Sequence, residues 1–320
     1  MCTMTYQSYS MPNAFIWRRL HSISGLFLVL FLMEHLFVNS QAALLFGDNG
    51  QGFIDAVKAI NSLPYLPVLE IFLIGFPFAL HIFLGIRYLF TGKFNSMRSD
   101  GSQPALPEYS RNHAYTWQRI TSWILLVGVI GHVVHMRFTH YPASAILGSE
   151  HSYFVNVSSD PGLYPLSERL GFTLWNPEEV THQIQEFQKP LPAIETHNEG
   201  DVLLYQQHVK QREGWVKAVE SLPVSEGNLM AVSKDFGTAE LLMVRDTFKS
   251  PLMIALYTLF VLTSCFHAFN GLWTFMISWG VTLSVRSQQL MLKFSTGLMV
   301  LIAFLGLSAI WGTYWINLYT

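Results

Sequence analysis

Residues 251–279, PLMIALYTLFVLTSCFHAFNGLWTFMISW, contain no Asp, Glu, Lys or Arg, yet they include one histidine, His267. A run of about 20 apolar residues is long enough to cross the hydrocarbon core of a membrane as a helix. A histidine in hydrocarbon is costly unless something binds it, so it is a functional candidate. The stretch therefore predicts a membrane-spanning helix that carries a ligand site.

Outward from this stretch, the chain contains more apolar windows of similar length. They fall at roughly 17–40, 66–91, 118–139 and 290–315. Hydrophobic residues make up 51% of the chain and charged residues only 12%. We therefore expect an all-α membrane protein, a bundle of five transmembrane helices surrounded by membrane lipid. The net charge of -2 shows no basic excess, so no nucleic-acid partner is expected.

A polar span interrupts the apolar windows and predicts a separate outer domain. The chain divides into 1–139 with helices 1–3, 140–249 as an extracytoplasmic insertion, and 250–320 with helices 4 and 5. Within the insertion, Asn176-Pro177-Glu178-Glu179 is typical of a helix start, and Val202–Val219 has helical character. No catalytic pattern is present there, and the histidines of the insertion lack ligand spacing.

The distribution of cationic residues predicts the topology. Most of those near the windows flank the side shared by the N-terminus and the 2/3 and 4/5 connections: Arg18, Arg19, Arg87, Lys93, Arg98, Arg111, Arg119, Arg286 and Lys293. Because Lys and Arg accumulate in cytoplasmic loops, the N-terminus is expected inside and Thr320 outside.

Four histidines lie in separate windows, and their depths group them in pairs. With a helix rise of about 1.5 Å per residue, His35 and His132 lie roughly 20 to 25 Å from the cytoplasmic surface. By the same count, His81 and His267 lie within roughly 6 to 10 Å of it. The sequence therefore predicts an outer pair and an inner pair.

Two such pairs are what two haems would need. Imidazole is a good axial ligand for haem iron, and two axial imidazoles leave no open iron site, which favours electron transfer. The layers are very roughly 10 to 16 Å apart along the membrane normal, which suits electron tunnelling. For any single histidine, hydrogen bonding between helices remains an open alternative. His135, three residues after His132, is a spare that would bond a propionate, a quinone or the outer domain.

Motifs in the first four windows and in the segment that leads into the fifth resemble one family: the five-helix, dihaem cytochrome b subunits of succinate:menaquinone oxidoreductases and the related fumarate reductases. The motifs are RRLHS at 18–22, EHL at 34–36, LEIF at 69–72, QRIT at 118–121, FHAFNGLW at 266–273, WGVT at 279–282 and RSQ at 286–288. The resemblance does not extend to the insertion, since the family's 3/4 connection is short.

The resemblance implies two haem b groups, a proximal one held by His81 and His267 and a distal one held by His35 and His132. It also implies menaquinone as electron acceptor, a bacterial cytoplasmic membrane and a place in the tricarboxylic acid cycle. A flavoprotein subunit with covalent FAD and an iron-sulfur subunit would dock on the inner face. This chain has neither a dinucleotide fingerprint nor a cluster-type cysteine run, so it cannot oxidise succinate alone.

Other polar residues in the windows are candidates for quinone or haem binding. Reduction of a quinone consumes two protons, and Glu70, in the outer part of helix 2, is the first candidate donor because hydrocarbon favours a protonated carboxyl group. Glu34 is a weaker candidate, and simple hydrogen bonding of Glu70 to a neighbouring helix is left open. Haem propionates are expected to meet Arg19, His21, Ser22 and Arg119 near the inner boundary.

Two alternative functions remain. One is the dihaem subunit of another quinone-linked oxidoreductase, such as a hydrogenase or formate dehydrogenase. The other is a haem-free membrane transporter or anchor, in which the histidines relay protons or pack helices.

Overall fold

The computed structural model describes residues 12–92, 96, 106–192 and 198–319. Lys93, Arg98 and Thr320, which entered the topology prediction, lie outside this range. Within the described ranges, five helices are long and apolar enough to cross a membrane: Asn13–Leu44, Leu66–Thr91, Ser110–Thr139, Pro251–Ser278 and Val285–Asn317. They coincide with the five predicted windows. The predicted five-helix membrane architecture, and with it a multi-pass membrane protein, is therefore confirmed.

In chain order the elements are α1 (Asn13–Leu44), α2 (Gln51–Asn61), α3 (Leu66–Glu70), a π-helical turn (Ile71–Gly75), α4 (Phe76–Thr91), α5 (Ser110–Val133), a π-helical turn (Val134–Thr139), β1 (Ala143–Leu147), β2 (Glu150–Ser158), α6 (Leu163–Leu170), β3 (Thr173–Trp175), α7 (Pro177–Gln188), α8 (Glu199–Glu220), β4 (Asn228–Ser233), α9 (Phe236–Thr247), α10 (Pro251–Ser278), α11 (Val285–Gly312) and a π-helical turn (Thr313–Asn317).

Two of the π-helical turns contain or adjoin residues singled out in the sequence. Glu70 directly precedes the turn in the second span, and His135 lies within the turn that ends the third span. Pro77 follows the first of these turns and has no backbone N–H, so the regular helical ladder cannot continue through it. Such π-turns often occur at functional sites.

The chain forms two compact units whose boundary runs across the long helices. The first unit comprises the chain up to His35 together with Tyr65–Val127 and Leu262–Ala303. The second comprises Leu36–Pro64, Gly128–Val261 and the chain from Phe304 onward. The division at 139/140 and 249/250 describes sequence segments and remains a prediction about independent folding.

The insertion folds around a four-stranded antiparallel sheet in the order β1-β2-β4-β3. On one face of this sheet, Phe154 and Met230 pack with Trp215 of α8 in a buried cluster. Phe187 of α7 stacks on Trp215 with ring centres 3.9 Å apart. Burial of these aromatic rings fixes α7 and α8 against the sheet.

The other face of the sheet is covered by α9. Tyr153 contacts Phe236 at the start of α9, with ring centres 5.3 Å apart. Gly237 in the same helix lies against the backbone of Ile54 in α2, where a Cβ atom would come within 2.8 Å of the Ile54 carbonyl oxygen. The insertion thus has helices on both faces of its sheet.

The two helices expected in the insertion are present. Asn176 forms a capping box with Glu179 at the start of α7, which confirms the predicted helix start. The segment Val202–Val219 lies within α8. The sheet was not anticipated from the sequence.

Candidate functional site

The inner histidines lie on α4 and α10, and the structure brings them together. The rings of His81 and His267 have centroids 6.4 Å apart and planes at 84°. When two imidazole rings bind one metal ion from opposite sides, each metal–nitrogen bond is about 2 Å long. Adding the distance from each nitrogen to its ring centre puts the two ring centres about 6 Å apart. The pair therefore fits the spacing of two axial ligands on one iron.

Hydrogen bonds determine which ring nitrogen of His81 carries the proton. The Nδ1 atom of His81 lies 3.1 Å from the backbone oxygen of His21, which can only accept. Nδ1 is therefore the protonated nitrogen, and the lone pair remains on Nε2. The hydroxyl of Ser24 lies 3.3 Å from the same Nδ1 and donates to the same carbonyl. This is how ligating histidines are commonly oriented.

The same reasoning applies to His267. Its Nδ1 lies 3.3 Å from the hydroxyl oxygen of Thr121. That hydroxyl already donates to backbone carbonyls of its own helix, at 2.8 Å and 3.0 Å, so it accepts from His267. Nδ1 is again protonated, and Nε2 is again the potential metal ligand.

Close packing on α1 holds the ring of His81 in place. A Cβ atom added at Gly25 would lie 2.9 Å from Cε1 of His81, so only glycine leaves the ring in this position. The ring of His21 stacks on His81 with centroids 4.0 Å apart and planes at 16°. His21 therefore lies beside the inner pair, and its own Nδ1 is buried without a hydrogen-bond partner among the described residues.

A chain of amides links α5 to α10 next to His267. Nε2 of Gln118 donates to the backbone oxygen of His267 at 3.1 Å, and Nδ2 of Asn270 donates to Oε1 of Gln118 at 2.7 Å. These bonds satisfy polar groups that would otherwise be costly in an apolar environment. They also fix the rotation of α10 that presents His267.

The other predicted propionate candidates lie in the N-terminal halves of α1 and α5. Arg19 donates to the backbone oxygen of Ser278 and lies over the ring of Trp279. Ser22 accepts a hydrogen bond from Nε1 of Trp279 at 3.2 Å. Arg119 donates to the Tyr115 hydroxyl. Arg19 and Ser22 thus contact residues at the end of α10, and Arg119 contacts Tyr115 one turn earlier in its own helix. Propionate binding stays a prediction for all four candidates.

A tyrosine that sequence reasoning missed joins two of the outer candidates. The hydroxyl of Tyr257 lies 3.3 Å from Nδ1 of His132 and 3.2 Å from Nδ1 of His135. A single hydroxyl can donate to one ring and accept from the other. His135 also packs against His140, with ring centres 4.2 Å apart. The spare histidine is thereby connected to the proposed haem ligand.

The remaining candidates occupy separate places. His35 is half-buried in α1, and the ring of Phe31 stacks on it with centres 5.4 Å apart. Glu70 is exposed at the end of α3, and Glu34 is exposed in α1. Within the described parts of the chain, no three His, Cys, Asp or Glu side chains converge on a common point. The pairing of His35 with His132 stays a prediction.

Comparison with known proteins identifies one relative along almost the whole chain. The chain is 25% identical over 297 residues to the succinate dehydrogenase cytochrome b558 subunit of Bacillus subtilis (strain 168), covering 92% of this chain and 95% of that protein. No family model and no solved structure matches. The resemblance inferred from the motifs is thus confirmed: this chain is similar, along nearly its whole length, to a succinate dehydrogenase cytochrome b subunit.

Proposed function

We propose that this chain is the dihaem cytochrome b subunit that anchors a succinate dehydrogenase complex in a bacterial cytoplasmic membrane. It passes electrons from the iron-sulfur subunit to a membrane quinone, menaquinone in the family it resembles. The observation that carries the proposal is the spacing of His81 and His267, at 6.4 Å between ring centroids. The similarity to the Bacillus subtilis cytochrome b558 subunit supports it independently.

The inner ligands are prepared for metal binding by the chain itself. The carbonyl of His21 and the hydroxyl of Thr121 hold the Nδ1 protons of His81 and His267, which leaves the basic nitrogen of each ring available. Haem held by His81 and His267 would supply one-electron transfer chemistry at this site. Gly25 and the stacked ring of His21 restrict the movement of His81.

At the outer layer, His35 and His132 are proposed to hold the second haem. If His132 ligates through Nε2, its Nδ1–H donates to the Tyr257 oxygen, and the Tyr257 O–H donates to His135. Tyr257 would thus orient the ligand and connect it to His135 and the exposed His140. Glu70 and His135 are proposed to supply or relay the protons that a reduced quinone takes up.

The inner face is proposed to receive the iron-sulfur subunit, which is itself attached to the flavoprotein subunit that oxidises succinate. The distribution of Arg and Lys supports the assignment of this face to the cytoplasmic side. Electrons would then enter through the inner histidine pair and leave through the outer one. The chain's own residues bind and position groups in this scheme, and succinate oxidation belongs to the partner subunits.

The test is the haem content of the purified complex, measured with reduced-minus-oxidised spectra. We expect two low-spin b haems per chain. His81→Ala and His267→Ala should each remove or perturb one haem, and His35→Ala and His132→Ala the other. His182→Ala, in α7 of the insertion, is the matched control and should retain both.

A wild-type chain without haem, from cells supplied with haem, would overturn the proposal and favour a haem-free transporter or anchor. Copurification with a flavoprotein that oxidises succinate distinguishes this complex from a hydrogenase or formate dehydrogenase. Copurification of a hydrogenase or a formate dehydrogenase instead would assign the dihaem chain to that enzyme.

A further inference from the structure

The side chain of His21 on α1 packs into a notch on α4. His81, Gly85 and Tyr88 recur on α4 at the spacing of one helix face. The ring of His21 lies flat on the ring of His81, with centroids 4.0 Å apart and planes at 16°. It meets the ring of Tyr88 edge-on, with centroids 5.3 Å apart and planes at 77°. Between the two, a Cβ atom added at Gly85 would lie 3.6 Å from Cε1 of His21.

The His21 ring is placed by its faces and edges. Its Nδ1 is buried and makes no hydrogen bond with the described residues. Its backbone oxygen lies 3.1 Å from Nδ1 of His81, but that contact does not depend on the side chain. Stacked and edge-on arrangements are the ones that aromatic rings prefer. The ring is thus held between His81 and Tyr88 by packing.

The plane of the His81 ring needs such a contact. Rotation of a histidine ring about its Cβ–Cγ bond has a broad energy minimum. The hydrogen bond from Nδ1 restrains one atom of the ring, and such bonds tolerate bends of roughly 30°. A parallel ring with its centre 4.0 Å away excludes tilts of that size, because they would push ring atoms closer than van der Waals contact. The plane of His81 therefore follows the plane of His21.

The plane of His81 is nearly perpendicular to that of the other inner ligand. The rings of His81 and His267 have planes at 84°. On one iron, the angle between two axial imidazole planes determines how the iron d orbitals split, and the groups around the ligands orient them. Perpendicular planes bring two of these orbitals close in energy, which gives the oxidised low-spin iron a highly anisotropic electron paramagnetic resonance signal. Parallel planes separate the two orbitals and give a less anisotropic signal.

We propose that His21 is a positioning residue whose ring, held between His81 and Tyr88, keeps the His81 imidazole perpendicular to that of His267. The proposal rests on the function proposed above, because the angle between the planes has a spectroscopic consequence only when both histidines ligate haem. It gives the ring of His21 a role different from the propionate contact expected from the sequence.

The experiment is electron paramagnetic resonance of the complete oxidised complex, with haem content measured on every sample. The inner signal is the one that His81→Ala changes. His21→Ala removes the stacked ring but keeps the backbone oxygen that accepts from His81. We expect its inner signal to become less anisotropic, with a smaller largest g value, while the outer signal stays unchanged. His21→Phe replaces the stacked ring without its polar atoms and should return the inner signal to the wild-type position.

Tyr88→Leu tests the other side of the notch. It removes the edge contact that holds His21 and leaves His81 in place, so the inner signal should move in the same direction. This variant carries the test if His21→Ala does not assemble. His113→Ala and Tyr109→Leu are the matched controls in the same compact unit, because both side chains are exposed. Both controls should keep the wild-type signals.

A change in His21→Ala that His21→Phe reverses supports the proposal. An unchanged inner signal in His21→Ala, or in Tyr88→Leu where His21→Ala does not assemble, would overturn it. A signal altered as much in His21→Phe as in His21→Ala would also overturn it, and would indicate a polar role such as propionate binding. Two haems with unaltered signals contradict this role alone, whereas a wild type without haem overturns the proposed function and this role with it.

Discussion

At the scale of single residues, Gly25 is the residue whose packing limits the position of the His81 ring most closely. Gly25→Ala would place a methyl group 2.9 Å from Cε1 of His81, too close for the ring to stay where it is. We expect the variant to lose or shift the spectrum of one haem while retaining the other. Gly297→Ala is the control, because a Cβ atom there meets nothing within 4 Å. Two unaltered haems in Gly25→Ala would contradict the ligand role of His81.

The Tyr257 hydroxyl offers a second residue-scale prediction, at the outer layer. A hydrogen bond from Nδ1–H makes a ligating imidazole more basic and so stabilises the oxidised iron. Tyr257→Phe removes the hydroxyl that accepts this hydrogen bond. A hydrogen bond worth about 1 kcal/mol corresponds to a change of roughly 40 mV in the midpoint potential of a one-electron couple. We therefore expect one haem midpoint potential to rise by a few tens of millivolts in redox titration. Tyr164→Phe, in α6 of the insertion, is the control and should leave the midpoint potentials of both haems unchanged. Equal midpoint potentials in Tyr257→Phe and wild type would argue against this hydrogen bond.

At the scale of elements, the buried Arg245 connects α9 to the loop between β2 and α6 and to the residue that follows the last helical turn. Arg245 is 1% exposed and donates to both carboxylate oxygens of Asp160, at 2.7 Å and 2.8 Å. Its Nε donates to the backbone oxygen of Leu318 at 2.9 Å. Lys249 adds a second cation 2.6 Å from Asp160. The insertion is thus joined to the chain terminus of its own compact unit.

This ion pair predicts how stability depends on pH. Burial raises the pKa of Asp160, but the hydrogen bonds from Arg245 and Lys249 outweigh it and lower the pKa to about 2. The pKa of Asp160 is lower in the folded protein than in the unfolded chain, where it is near 3.8. The ionised carboxylate therefore stabilises the fold at pH values above 3.8, and this stabilisation is lost as the pH falls toward 2. The loss should appear as a smaller protection factor for amide hydrogen exchange in α9 at pH 2 than at pH 4.

Asp160→Asn tests the same contact at neutral pH. It leaves the guanidinium of Arg245 buried without its counter-ion, which should destabilise the insertion by about 3 kcal/mol. Thermal unfolding of the complete protein measures the change. Glu226→Gln, at an exposed position of the insertion, is the control. An unaltered melting temperature in Asp160→Asn would show that the pair contributes little.

The elements differ in how far the sequence predicts them. The spans are predictable because an apolar run of sufficient length has few other uses, and a single histidine stands out in such a run. The strands of the insertion are not, because β1 and β2 mix exposed and buried positions without a clean alternation. The hydroxyls of Ser24, Thr121 and Tyr257 also escape prediction, since similar residues occur throughout the spans and only the folded structure places these three beside histidines.

At the scale of the whole molecule, the proposed path carries electrons from the inner to the outer side. Each electron that crosses works against or with the membrane potential, by about 2.3 kcal/mol per 100 mV. Collapse of the potential in intact cells should therefore change the rate of succinate-dependent menaquinone reduction. The same treatment should have no effect on the detergent-solubilised complex, which has no potential to lose. An unchanged rate in cells would place quinone reduction on the inner side.

The contact between Gly25 and His81 also constrains how this chain can evolve. A side chain at position 25 and an imidazole at position 81 compete for the same space, so a residue larger than glycine cannot enter position 25 while the imidazole stays in place. In a set of homologous sequences, the two should vary as a pair, glycine accompanying the histidine and a larger residue appearing only where the ligand has moved to another turn. Position 25, which carries no chemistry of its own, thus becomes a genetic marker for the presence of the inner ligand.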